Sequence, residues 1–229
     1  MKILGVITAR GGSKGVPRKN LKELCGKALL EYTIDSAIHA ITLSRIILST
    51  DDPEIAEAGY KYGVDIPFMR PAELAKDDTP TLPVLQHAVR ILEEKGEKYD
   101  AVCLLQPTNP LRTSVQIDAC SNLLINQEAD SVVTITPIPH NHNPYWAYSQ
   151  REDGALYLCM GGKEPIPRRQ LLPQTFYRDG TIYITRRDVL IMENSLYGTR
   201  LMGYVLNTEE SVCIDSYDDL AKAERYLSK

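Results

Sequence analysis

Directly behind the first apolar run of the chain, residues 9–20 read Ala-Arg-Gly-Gly-Ser-Lys-Gly-Val-Pro-Arg-Lys-Asn. Glycines such as Gly11 and Gly12 let backbone amides approach an anion closely, and the neighbouring cations neutralise it. Residues 10–27 hold six Lys or Arg (positions 10, 14, 18, 19, 22 and 27) against one acid, Glu23. The chain as a whole, 229 residues, carries a formal charge of −4 and has a pI near 5.6. The cluster is therefore a local device for a polyanionic ligand, and nothing in the bulk charge favours nucleic acid or an anionic membrane. The stretch matches neither G-x-x-x-x-G-K-S/T nor G-x-G-x-x-G, so kinase-like and NAD-dependent readings lose support.

Positioning such a loop requires a strand before it. Residues 2–9 form a continuous apolar run, as do 45–50, 100–106 and 131–136, the pattern of strands covered on both faces. Helical patterns alternate with them. Asp52 and Pro53 read as the N-cap and first position of a helix that Gly63 ends. Leu82, Leu85, Val89 and Leu92 fall on one face of another. The alternation predicts an α/β fold, a three-layer sandwich on a mainly parallel sheet with right-handed crossovers, in which ligands sit beyond the carboxyl ends of the strands. At this length the chain reads as a single domain, 1–229. The rhythm breaks at about 137–184, where prolines and aromatics concentrate; this segment reads as an inserted arm with a hairpin turning at residues 152–154. "ESVCID" (210–215) reads as strand-like, ahead of a last helix.

No apolar run approaches eighteen residues and the N-terminal one is too short for a signal peptide, so the expectation is a cytoplasmic protein. Cys25, Cys103, Cys120, Cys159 and Cys213 are odd in number and widely spaced, which predicts reduced core thiols. His140 and His142 have no evident third partner for zinc.

In order along almost the whole chain, "ITARGGSKGVPRKNLKELCGKALLEYTIDSA", "LSTDDPEIAE", "VDIPFMRPAELA", "LLQPTNPLR", "RRQLLP", "DGTIYI" and "CIDSYDDLAKAE" resemble the acylneuraminate cytidylyltransferases. That resemblance implies a Rossmann-like nucleotidyltransferase that couples CTP to a 3-deoxy-2-keto sugar acid and releases pyrophosphate, with Mg²⁺ as cofactor. It further implies a homodimer whose inserted dimerisation arm reaches the partner's site.

By the same resemblance Arg10, Ser13, Lys14 and Lys19 hold the triphosphate, Asn20 lies near the cytosine or ribose, and Arg70 contacts the nucleotide. Cations fixed around the α-phosphate lower the barrier because charge develops there during attack and departure; Arg10 and Lys19 are the main candidates. The prolines of 106–112 stiffen a turn expected to present Gln106, Thr108 and Asn109 above the sheet edge, with Arg112 able to cap the following helix. Gln106 is implied near the sugar, and Asn109 replaces a serine usual in the family. Asp215 is the candidate carboxylate for magnesium, a hard ion that prefers oxygen. Where many relatives carry another aspartate, this chain has Cys213, a poor magnesium ligand. On the arm, Arg168 or Arg169 suits a bidentate grip on the sugar carboxylate, beside Gln170; Phe176 and Tyr177 can shape an apolar wall, and Asp179 replaces a common asparagine. No general base is evident. The alternatives are a cytidylyltransferase for another acid, such as an octulosonate or a phosphonate, and a non-catalytic nucleotide-binding module.

Overall fold

The computed structural model describes residues 1–207, 209 and 211–228. Among the described residues, ten strands form one large sheet and two small ribbons. β1 (Ile3–Thr8), β4 (Leu43–Ser49), β5 (Ala101–Leu105), β6 (Ser131–Pro137), β9 (Phe176–Arg186) and β10 (Leu201–Val205) make the sheet, in the order β10-β6-β9-β5-β1-β4. β1 runs parallel to β4 and β5, β10 runs parallel to β6, and β9 is antiparallel to both its neighbours. The four apolar runs read from the sequence are thus β1, β4, β5 and β6.

Side-chain alternation explains why those runs are apolar throughout. Along β1, Ile3 and Ile7 face α1 (Leu29–Ile38), α2 (Pro53–Lys61) and α4 (Ser114–Asn126), through Ile34, Ile55 and Leu124. Leu4 and Val6 face the opposite layer, α3 (Thr81–Glu94) and the short α5 (Arg187–Ile191), through Leu85, Val89, Leu92 and Leu190. Both faces are buried, so neither can be polar. The result is the expected three layers.

Local signals behave as their chemistry requires. Asp52 caps α2, its carboxylate accepting from the amides of Glu54 and Ile55, and Gly63 follows at φ +83, a conformation that favours glycine. β2 (Glu23–Leu24) and β3 (Lys27–Ala28) pair through Cys25 and Gly26, both at positive φ, the geometry of a tight primed turn. The last helix, α6 (Tyr217–Leu227), begins with a capping box between Ser216 and Asp219. It packs Leu220 and Ala223 against Val16, Leu24 and Leu29, so the glycine-rich loop has a small core of its own.

Three expectations are corrected. The segment that leaves the sheet is shorter than 137–184, because Phe176–Arg186 already belongs to β9; within it, β7 (Tyr148–Gln150) and β8 (Leu156–Leu158) form the expected hairpin. Residues 211–215, within the strand-like "ESVCID", form no strand; Val212 and Ile214 are apolar because they fill the core under α6. All five cysteines are free, but only Cys103 and Cys120 are buried, while Cys25, Cys159 and Cys213 reach the surface. Among the described residues no helix is long and apolar enough to cross a membrane.

Candidate active site

At the carboxyl edge of the sheet, the loops after β1, β4 and β5 surround a pocket of about 460 Å³. Its walls carry five cations (Arg10, Lys14, Lys19, Arg70 and Lys76) against two carboxylates, Asp77 and Asp215. The local excess of positive charge is therefore real in space as well as in sequence, although not every basic residue of the opening loop contributes. Arg18 turns away to Asp52 and Glu54, and Lys27 pairs with Asp35 on α1.

Several contacts fix the loop's path. The Gly11 amide donates to Asp51 Oδ1 at 3.1 Å, and Asn20, buried, donates its amide to the Arg10 carbonyl at 2.9 Å. Gly15 packs against residue 215 so tightly that a Cβ there would overlap the Asp215 carbonyl oxygen, whereas a Cβ on Gly12 would meet nothing within 4 Å. Lys19 reaches the same segment, donating to the Ile214 carbonyl at 2.7 Å and to Asp215 Oδ1 at 3.0 Å. Asp215 itself remains 75% exposed. Arg70 is only 7% exposed and donates to Ser49, through Nε to the hydroxyl at 3.1 Å and through Nη2 to the carbonyl. Burial pulls its pKa down to about 10, with Asp51 opposing that shift; it stays cationic at neutral pH.

Of the residues expected at the site, Arg10, Ser13, Lys14, Lys19, Asn20, Arg70, Gln106 and Asp215 all line this pocket. Gly11 and Gly12 shape the loop without lining it. Three expectations differ. Thr108 lines the pocket as expected, but Asn109 is 0% exposed and its amide has no partner among the described residues. Asp179 is buried too. Its carboxylate accepts from the Thr134 hydroxyl, from the Thr181 amide at 3.0 Å and from the Thr181 hydroxyl at 2.8 Å, so it braces β9 and does not line the cationic pocket. Arg112 caps no helix: it is buried, donating to the Thr181 carbonyl, the Thr33 hydroxyl and the Gln106 carbonyl, while Thr113 caps α4. Arg70 lies a few residues beyond an isolated bridge at Asp65. Arg168, Arg169 and Gln170 lie exposed on the arm, and Tyr177 is exposed on β9.

Sequence reasoning missed Lys76, Asp77, Thr79 and Thr81, which bring the segment before α3 into the pocket. It also missed Tyr183. A Cβ on Gly180 would stand 3.8 Å from the Tyr183 hydroxyl and 3.9 Å from Gln106 Oε1, so those two polar groups converge over a glycine held at φ +84. Burial pushes the Tyr183 pKa up to about 12, which keeps its hydroxyl a donor. No sequence signal singled it out, because Tyr183 alternates with Ile182 and Ile184 as any buried strand residue does.

For a metal, the donor chemistry is mixed. Asp215 offers a hard carboxylate at the pocket. The Cys213 thiol sits 3.6 Å from Asp215 Oδ2, and partial desolvation raises its pKa, so it is a neutral thiol at neutral pH and no magnesium ligand. Asp215 fits a divalent cation that draws its other ligands from phosphate and water.

A doubly wound sheet with a cationic pocket at its carboxyl edge is the architecture of nucleotide-handling α/β proteins. The family comparison makes the class specific. The chain belongs to the cytidylyltransferase family, whose model matches residues 4–226, and is a nucleotidyltransferase enzyme. It is 30% identical to the pseudaminic acid cytidylyltransferase of Campylobacter jejuni over 98% of this chain and 95% of the relative. It is also 30% identical to the CMP-N,N'-diacetyllegionaminic acid synthase of Legionella pneumophila, over 99% and 97%. Among solved structures, a CMP:2-keto-3-deoxy-manno-octonic acid synthetase complexed with CTP shares the fold, with a TM-score of 0.74, 17% identity and coverage of 100% of this chain and 99% of the other.

Proposed function

We propose that this enzyme couples CTP to a 3-deoxy-2-keto sugar acid of the nonulosonic class, giving the CMP-sugar and pyrophosphate. The observation that carries the reading is the convergence of Arg10, Lys14 and Lys19 on one pocket that Asp215 also lines. A triphosphate needs several fixed cations, and a flexible surface cluster would have to be ordered on binding.

In this reading Arg10, Ser13, Lys14 and Lys19 bind the triphosphate, and Arg70 and Asn20 bind the nucleoside side. Lys19 is preorganised by its bond to the Ile214 carbonyl, so its charge costs little reorganisation when the α-phosphate becomes more negative. The sugar's anomeric hydroxyl attacks in line, which predicts inversion at phosphorus. Gln106 lines the sugar side, with Arg168, Arg169 and Gln170 supplied from the arm and Tyr177 from the start of β9. Cytidylyltransferases of this kind generally use a divalent metal; here Mg²⁺ would be held by Asp215 and would neutralise charge on the phosphate oxygens.

The arm exposes Tyr148, Leu156, Tyr157, Met160 and Leu171, and the adjoining start of β9 exposes Phe176 and Tyr177. An apolar surface of that extent supports a homodimer in which the arm docks on a second copy. Five free thiols and a requirement for CTP favour the cytoplasm. The deciding experiment is pyrophosphate release with CTP and magnesium against sialic, legionaminic, pseudaminic and octulosonic acids. Release with one nonulosonic acid supports the proposal; release with octulosonic acid alone would replace it.

A further inference from the structure

One charged contact in the pocket has no task in that reaction. Asp77 lies in the connection between the turn at Ala72–Leu74 and α3. Its Oδ1 is 2.9 Å from Arg10 Nη2 and its Oδ2 is 2.8 Å from Lys14 Nζ. The carbonyl just before it, on Lys76, accepts from Arg10 Nη1 at 2.7 Å. Two of the cations assigned to the triphosphate thus already hold an anion. To a guanidinium or an ammonium, a carboxylate and a phosphate edge are the same kind of ligand, two oxygens sharing negative charge.

Placement and exposure say what such a contact is for. Lys76, Asp77, Thr79 and Thr81 all line the pocket, so the carboxylate is presented to the cradle from inside the binding space. Lys14 is 81% exposed and Asp77 42%. Ion pairs this open contribute little to stability and exchange readily, so the contact does not serve as a structural brace. Lys14, donating to Asp77, holds the carboxyl below its ordinary pKa, which keeps the counter-charge present throughout the neutral range. Lys19 is not part of the pairing; it is held separately by Ile214 and Asp215.

We propose that Asp77 is a resident counter-anion that sets which phosphates the cradle accepts. A polyphosphate, CTP or free pyrophosphate, must replace Asp77 at Arg10 and Lys14, and the cost is common to both. CMP carries one phosphate, which Lys19 serves, and its nucleoside meets Arg70, so it leaves Asp77 in place. Asp77 therefore acts as a specificity-determining residue, weakening polyphosphates relative to the monophosphate and easing the release of pyrophosphate. The inference rests on the reading of residues 10–20 as a triphosphate cradle.

The test is calorimetric titration of CTP, CMP and inorganic pyrophosphate, with and without magnesium, into the full chain as wild type, Asp77→Asn and Asp77→Glu. In Asp77→Asn, CTP and pyrophosphate are expected to bind roughly three- to tenfold more tightly, the release of two exposed ion pairs. CMP changes little, so the preference for polyphosphate over monophosphate grows. Asp77→Glu keeps a carboxylate and retains the wild-type preference. Unchanged or weaker pyrophosphate binding by Asp77→Asn overturns the proposal, as does equal tightening of all three ligands or an Asp77→Glu protein that behaves like Asp77→Asn. A wild-type chain that binds no CTP would remove the cradle reading and this proposal together, a result distinct from the others.

Discussion

Lys19 Nζ lies 3.0 Å from Asp215 Oδ1 and 2.7 Å from the Ile214 carbonyl, joining the loop after the first strand to the approach of the last helix across 195 residues of sequence. One contact thereby joins the cation proposed for the phosphates to the carboxylate proposed for the metal. Lys19→Ala is expected to lower turnover by about 100- to 1000-fold, the usual effect of removing one preorganised electrostatic group. CTP affinity falls with it, because the ground-state triphosphate is bound by the same charge. Steady-state pyrophosphate release and CTP titration check both; turnover within threefold of wild type would contradict the assignment of Lys19.

Backbone contact between the same two segments gives a matched pair of variants. At Gly15 a methyl group would overlap the Asp215 carbonyl oxygen, a backbone atom that cannot rotate aside, whereas at Gly12 it meets open space. Gly15→Ala is expected to push the loop and residues 213–216 apart, costing about 1–3 kcal/mol of stability and most of the activity. Gly12→Ala stays within about 0.5 kcal/mol of wild type, as surface changes usually do. Urea denaturation and pyrophosphate release on both proteins give the comparison.

Local chemistry made much of this architecture legible in the sequence. Buried strands show as unbroken apolar runs, Asp52 and Gly63 mark the ends of α2, and the basic loop follows β1 directly. What stayed hidden depends on contacts between distant segments. Arg112 looked able to cap the following helix, yet it tethers the carbonyls of Gln106 and Thr181 in the interior, because the turn at 106–112 and β9 are packed side by side. Asp179 looked like a substrate ligand, but two threonines and a backbone amide consume its carboxylate. Asp77 was passed over because nothing in "LAKDDTPT" announces that one of its acids will meet Arg10 and Lys14.

Cys213 invites a gain-of-function test. Its sulfur is 3.6 Å from Asp215 Oδ2, close enough for an aspartate there to share a cation with Asp215. Two adjacent carboxylates repel one another when no cation is bound and attract one strongly. Cys213→Asp is expected to lower the magnesium concentration that gives half-maximal activity by roughly tenfold, one additional carboxylate being worth about that much. It also makes the melting temperature rise more on adding magnesium than it does in wild type. Identical magnesium titrations for the two proteins would show that position 213 takes no part in metal binding.

His87 on α3 should give the protein a measurable pH dependence of stability. Its ring meets Phe68 edge-on at 5.0 Å between centroids, and its Nδ1 has no partner among the described residues. Burial, and secondarily the Arg70 charge, hold its pKa below the ordinary value of 6.5, while Glu73 and Glu94 oppose the shift only in part. The native state therefore binds this proton less readily than the unfolded chain does. The associated stability is complete above about pH 6.5, the unfolded value, and is lost as pH falls through the lowered native value. In His87→Leu that contribution disappears. The urea midpoints of wild type and variant, measured from pH 8 to pH 5, should run parallel above pH 6.5 and converge below it in the variant's favour; parallel curves throughout would mean that His87 titrates normally in the native state.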